Sequence, residues 1–300
     1  MHEINTKLTD TVRIAWTVGD VCNYSCSYCR LNLNKKMPPD AETIKDICEV
    51  FIDHYEPLGK TVEIQFTGGE PTVIPNFQSV LRMLHNRNCK TSLLTNGSPN
   101  LDWWEQNANT LNTVNISVHL DFVDIEELEE KIDLLKDRDL HLTIATTPEN
   151  FETATELKTR WDEEFQEHEI QITYQLLYKD MPFNQVLMDY TPEQLQIAYG
   201  TTENNLPTSD TNENEHVDKI RSEKRNTYKG YICYAGLDTL VIDYAGHIRR
   251  SHCGQGQPIC NISDPNILEN LANRLPALPM LCEQDRCPNW FDMTAYKQRP

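Results

Sequence analysis

Cys22, Cys26 and Cys29 stand together in the stretch CNYSCSYC, separated by three residues and then by two. Thiolates so spaced on one loop can wrap a single soft metal centre, and three of them leave open the position that a fourth ligand fills in a closed structural site. No further Cys or His follows at a zinc-finger interval, which weighs against structural zinc, the competing reading of such a cluster. Of the other cysteines, Cys48 and Cys89 are isolated and read as core residues. Cys233, Cys253, Cys260, Cys282 and Cys287 gather towards the carboxy terminus.

The 300 residues suffice for one large core, or one main domain with a smaller appendage. Lys and Arg number 27 against 46 Asp and Glu, a formal charge of -19 that repels a phosphate backbone, so nucleic acid is not an expected partner. No apolar run reaches the ~18 residues of a membrane helix, and MHEINTKLTD lacks the basic flank and apolar stretch of a signal peptide. The expectation is a soluble, cytoplasmic protein without membrane contact, in which cysteines bind metal, do chemistry or pack rather than form disulfides.

The elements that must position these thiols alternate. TVRIAWT, TVEIQF, KTSLLT, NTVNISVHL, LHLTIATT and IQITYQLLY read as six strands, and a helical pattern follows each of the first five. From Asp40 to Tyr55, for example, Ile44, Ile47, Cys48, Phe51 and Tyr55 recur at helical spacing. Such repetition predicts an α/β fold, a parallel sheet curled into a partial (β/α)6 barrel over residues 1–180, with chemistry at the carboxy-terminal strand ends. The first cysteine loop falls at such an end. Residues 181–230 are polar and read as a linker or lid. In 231–300, LDTLVIDYAGHIRRSHC reads as a hairpin turning at YAG, flanked by cysteines that define a second small unit.

TGGEP follows the second strand. Gly68 and Gly69 allow close backbone approach there, and Glu70 offers an acceptor to an ammonium group, while Pro71 suits a tight turn. The order Cys-x3-Cys-x2-Cys after strand one, an aromatic residue before the third Cys (Tyr28), then GGEP resembles the radical S-adenosylmethionine (radical SAM) superfamily across roughly residues 11–178. The resemblance implies a [4Fe-4S] cluster held by Cys22, Cys26 and Cys29 with SAM on its fourth iron. Reductive cleavage would then yield methionine and a 5'-deoxyadenosyl radical that abstracts hydrogen from an unactivated carbon. It further implies Tyr28 beside the adenine, Gly68, Gly69, Glu70 and Pro71 at the SAM ammonium, and Thr95 and Asn96 near the methionine moiety or the substrate. In the fourth strand Ser117, His119 and Asp121 share one face by periodicity, with His119 in place of a small polar residue. Thr146 and Gln175 are inward-facing candidates of the same kind, and Tyr24 has no assigned role.

CYAGLDTLVIDYAGHIRRSHC followed by CEQDRCP resembles the twitch or SPASM-type extension of that superfamily. This implies one auxiliary iron-sulfur cluster, [4Fe-4S] rather than [2Fe-2S], on Cys233, Cys253, Cys282 and Cys287, with Pro288 after the last ligand. Cys260 is then spare: an alternative ligand, a buried thiol, or a catalytic hydrogen-atom donor. Arg249 and Arg250 read as surface charge or as an anion site. The implied activity is that of a radical SAM enzyme, reduced by a flavodoxin or ferredoxin. Its substrate is a peptide to be epimerised or cross-linked or, alternatively, a small polar metabolite such as a sugar, aminoglycoside or nucleoside. A non-catalytic iron-sulfur or zinc protein is the reading from another class.

Overall fold

The computed structural model describes residues 10–29, 37–179, 186–199, 225–287 and 289–299. Six strands, β1 (Thr11–Thr17), β2 (Thr61–Thr67), β3 (Lys90–Thr95), β4 (Thr113–Val118), β5 (Asp139–Thr146) and β6 (Gln171–Leu176), pair in parallel in chain order. Helices α1 (Ala41–Tyr55), α2 (Phe77–Asn86), α3 (Leu101–Asn107), α4 (Ile125–Leu135) and α5 (Phe151–Glu164) cross between them. This is the expected α/β partial barrel. Along the strands Val12, Ile14 and Trp16, then Val62, Ile64 and Phe66, then Val114, Ile116 and Val118 are buried, and apart from the buried Ala15 the residues between them are polar and half-buried. The buried set meets the helices, so the other sheet face forms the polar interior of the barrel. Helix α1 shows how the sequence enforces this. Asp40 caps it by accepting the Thr43 N–H at 2.7 Å, and Ile44, Ile47, Cys48, Phe51 and Tyr55 form its buried stripe.

Two features differ from expectation. Within the stretch read as a linker or lid, Pro192–Tyr199 forms a helix, α6. Thr191 and Gln194 cap it reciprocally: the Thr191 N–H donates to Gln194 Oε1 at 2.9 Å, and the Gln194 N–H donates to Thr191 Oγ1 at 3.2 Å. The most polar part of that stretch, residues 200–224, lies outside the described residues.

The second difference concerns the hairpin. Strands β8 (Thr239–Ile242) and β9 (His247–Arg249) pair antiparallel as expected, but β8 also pairs in parallel with β1. With β10 (Cys260–Asn261) the sheet has nine strands, in the order β10-β9-β8-β1-β2-β3-β4-β5-β6. The hairpin expected in a separate small unit therefore continues the barrel sheet. All four residues of β8 are buried, so the strand needs cover on both faces, and β1 offers the free edge that supplies its hydrogen bonds. Helix α7 (Ile267–Arg274) covers this extension beside α1. A separate three-stranded sheet joins β7 (Ile232–Cys233) to β11 (Met280–Leu281) and β12 (Lys297–Gln298), with the short helix α8 (Trp290–Met293) before β12. Among the described residues no helix is long and apolar enough to cross a membrane.

The junction is testable. Ile242 is fully buried and stands in register with Trp16 of β1. Ile242→Ala should cost about 2–5 kcal/mol, read as a lower midpoint in denaturant unfolding followed by tryptophan fluorescence.

Candidate active site

Beyond the last residues of β1 and β2 the two chains stay laced together. The Val18 N–H donates to Thr67 O, the Gly69 N–H to Gly19 O and the Glu70 N–H to Val21 O, each at 2.9 Å. This approach leaves no room for side chains. A Cβ on Gly68 would lie 2.6 Å from Gly19 O, and one on Gly69 would lie 2.1 Å from Val21 O. The paired glycines thus hold the loop that carries Cys22, Cys26 and Cys29 against the end of β2.

Glu70 is 1% exposed and its carboxylate is heavily engaged. Oε1 accepts from Thr72 N at 3.0 Å, Thr72 Oγ1 at 2.6 Å and Thr95 Oγ1 at 2.9 Å, while Oε2 accepts from Asn96 N at 2.6 Å. Burial pushes its pKa up, and the Asn96, Thr72 and Thr95 donors pull it back. Pro71, also buried, opens the short helical turn that follows. Glu70 therefore ties the end of β2 to the end of β3 and aims Asn96, whose Nδ2 reaches Asn23 Oδ1 at 2.9 Å and the Cys22 sulfur at 3.7 Å. The Tyr24 N–H donates to the same sulfur at 3.3 Å. Burial first, with smaller contributions from the neighbouring thiols, raises Cys22 and Cys26. Cys22, Cys26 and Cys29 are thus brought within electrostatic reach of one another.

The fourth strand departs from expectation. It ends at Val118, and the Phe122 and Val123 N–H groups fold back onto His119 O at 2.9 and 3.0 Å, so strand periodicity does not carry to Asp121. Asp121 is exposed on this turn, while Ser117 keeps its place on the barrel interior in register with Thr143. His119 packs between two tyrosines of the cysteine loop. Its Nδ1 lies 2.8 Å from Tyr28 Oη with the rings stacked, and Tyr24 meets it edge-on while stacking on Phe122. Burial lowers the His119 pKa, with Asp121 opposing.

One further candidate is also corrected. Thr146 is fully buried on the helix side and donates to its own strand at Ile144 O, 2.7 Å away. Gln175 lies on the same face of β6 as Thr173, opposite the buried Ile172, Tyr174 and Leu176, and is exposed there. Asp20, 1% exposed and two residues before Cys22, was not singled out by sequence. Among the described residues neither of its carboxylate oxygens has a hydrogen-bond partner.

At the other end of β1 lies a second cysteine group. Cys233 precedes β8, whose Thr239 pairs with Arg13 near the start of β1, and Cys253 follows the antiparallel β9. Cys282 and Cys287 join Cys233 in a small core with Tyr228, Tyr231 and Met293. Backbone bonds hold them there: Cys282 N to Tyr231 O, Cys287 N to Asn226 O and Gly230 N to Cys282 O, each at 2.8 Å. The Asp292 carboxylate fixes Cys253 through its N–H at 2.8 Å. Burial is the first cause raising Cys233, Cys282 and Cys287, and Cys253 adds to the last two. Cys260 stands apart on β10 in the main core, its thiol pushed up to about 11 by burial and answering to Arg274 and Asp264 rather than to the other cysteines. That placement does not suit the hydrogen-donor or alternative-ligand readings. Arg249 bonds Asp243 and Arg250 bonds two backbone carbonyls, so both are structural; Pro288 lies outside the described residues. The seven residues of β1, at about 3.3 Å each, span roughly 20 Å between the strand ends beyond which the two groups lie.

Residues 16–121 match the family model of the radical SAM superfamily. The GTP 3',8-cyclase of Actinobacillus pleuropneumoniae serotype 5b is 30% identical over 125 residues, covering 39% of this chain and 35% of the relative. The S-adenosylmethionine-dependent nucleotide dehydratase of Selenomonas ruminantium is 31% identical over 77 residues, covering 26% of this chain and 27% of the relative. The chain spans about a third of the length of these curated relatives or less. The structure described as native anSMEcpe with bound AdoMet superposes with a TM-score of 0.54 at 14% identity, covering 89% of this chain and 80% of the other, and shares its fold.

Gly69→Ala places a Cβ against backbone that cannot yield, and should cost about 1–3 kcal/mol, read as a lower midpoint in denaturant unfolding. A pH dependence follows from His119. Its folded pKa lies below the ordinary 6.5, so at lower pH the unfolded chain takes up a proton that the folded one resists. His119 thus supports the fold fully above pH 6.5 and progressively less below it. His119→Phe should flatten that part of the stability profile in denaturant titrations from pH 5 to 7.5.

Proposed function

We propose that the protein is a radical SAM enzyme in which Cys22, Cys26 and Cys29 hold a [4Fe-4S] cluster and Cys233, Cys253, Cys282 and Cys287 hold one auxiliary iron-sulfur cluster. The observation that carries this reading is the backbone lacing of the cysteine loop to GGE, with Asn96 reaching from Glu70 to the Cys22 sulfur. The donors present at both groups are free thiols, the ligand type that iron-sulfur clusters take. The glycine cradle and the unpaired buried carboxylate of Asp20 support SAM beside the loop, since an ammonium group would satisfy that acceptor. When bound, the cluster and SAM supply a primary carbon radical.

The work of the chain's own residues is positional. Glu70 aims Asn96, His119 steadies Tyr28, and the backbone lacing keeps the thiols at the mouth of the barrel. The substrate would lie on the interior face, where Gln65, Asn115, Ser117, Thr143 and Thr173 alternate with the core residues. These neutral amides and hydroxyls match a peptide backbone, and a peptide to be epimerised or cross-linked is the reading we favour. Reduction would come from a flavodoxin or ferredoxin. The similarity to a GTP cyclase and a nucleotide dehydratase favours a second reading, a small polar metabolite of nucleoside or sugar type. It bears on only 35% of the cyclase and 27% of the dehydratase.

The test is anaerobic reconstitution, reduction in the presence of SAM and assay of 5'-deoxyadenosine by mass spectrometry. Cys26→Ala should abolish its formation, and Cys282→Ala should leave part of it. A protein that carries its full iron complement yet cleaves no SAM would overturn the enzyme reading in favour of a non-catalytic iron-sulfur protein. A gene for a short precursor peptide beside this one would separate the two substrate readings.

A further inference from the structure

We infer that Lys297 is a built-in counter-charge for the second cysteine group and sets the reduction potential of the cluster held there, an inference that rests on the auxiliary-cluster reading above. Lys297 lies on β12 directly opposite Cys233 of β7 in an antiparallel pair, so the two side chains share one face of the small sheet. Its ammonium group is fixed from two directions. Nζ donates to the carbonyls of Asp292 at 2.7 Å, Ala295 at 3.0 Å and Met293 at 3.4 Å, and it stands 4.8 Å over the ring of Tyr228. Tyr228 packs in the same small core as Cys233, Cys282 and Cys287. Three tetrahedral donors meeting three carbonyls suit Lys, with its compact charge, better than the planar fork of Arg.

The acceptors are neutral, so the bonds fix the charge without cancelling it. The carboxylates nearby accept their hydrogen bonds from other groups, although the buried Asp238 also feels the Lys297 charge. Asp292 receives the N–H groups of His252 and Cys253 at 2.9 and 2.8 Å, and Asp238 receives the Tyr296 N–H at 2.7 Å. No carboxylate forms an ion pair with Lys297 among the described residues. The charge faces the thiols directly, since Lys297 stands opposite Cys233 and its ammonium lies over Tyr228, which packs in one small core with Cys233, Cys282 and Cys287. A cluster on these ligands gains negative charge on one-electron reduction, and a fixed cation at this range stabilises the reduced form more than the oxidised one.

The experiment uses the full chain with Cys22, Cys26 and Cys29 replaced by Ala, so that only the second group can hold a cluster. Iron and sulfide are counted after anaerobic reconstitution, and the midpoint potential is read by dithionite titration with electron paramagnetic resonance. Lys297→Met should lower the reduction equilibrium about tenfold, a shift of about 59 mV to more negative potential for one electron. Lys297→Arg, which keeps the charge, should recover most of it. Loss of the cluster from the Met variant alone would also support a charge requirement. An unchanged midpoint in Lys297→Met at full iron content would overturn the inference, as would equal loss of cluster from both variants, which marks a purely steric role. Absence of iron from the background protein itself would instead sink the auxiliary-cluster reading.

Discussion

Three backbone hydrogen bonds beyond the ends of β1 and β2 organise the site. They exist because Gly68 and Gly69 have no Cβ, and a methyl group at either position would collide with the facing carbonyls. Everything at the mouth of the barrel refers to that contact. It fixes the cysteine loop, orients Glu70 inward and, through Glu70, holds the β3 end with Thr95 and Asn96. A buried carboxylate serves as a rigid bracket here because it can receive several donors from different elements at once. An electrostatically costly residue has become a geometric one.

The overall charge of -19 hides a second design. Basic side chains with defined roles are turned inward onto backbone oxygens: Lys131 onto Gly97 O, Arg13 and Arg250 onto carbonyls near the carboxy-terminal cysteines, and Lys297 onto three more. Arg13, Arg250 and Lys297 thus bring positive charge to the part of the fold that buries the carboxy-terminal thiols, while the buried carboxylates Glu70 and Asp292 receive backbone N–H groups.

Local pattern made much of this legible from sequence. The six parallel strands and five crossing helices followed from apolar periodicity, and Asp40 before the Ile44 to Tyr55 stripe marks its helix as clearly in the sequence as in space. The capping signal of α6, Thr191 with Gln194, is also present in the sequence, but a polar neighbourhood masked it. What could not be read depended on where elements stop and on distant partners. Asp121 was grouped with Ser117 because alternation was continued through His119, where the chain turns. Thr146 looked like an inward polar residue until its hydroxyl was seen bonded to its own strand, and the packing of Cys260 depends on β9 and α7, which no local rule assigns to it.

The pairing of β1 with β8 is the most distant in the main sheet, setting Arg13 beside Thr239 across the whole stretch that forms the barrel. During synthesis β1 therefore emerges early with one edge bare and waits for β8 before the sheet is complete. Such distant closure makes for slow, late assembly. Until then Cys233 and Cys253, which flank the β8–β9 hairpin, lack the sheet edge that holds that hairpin in place.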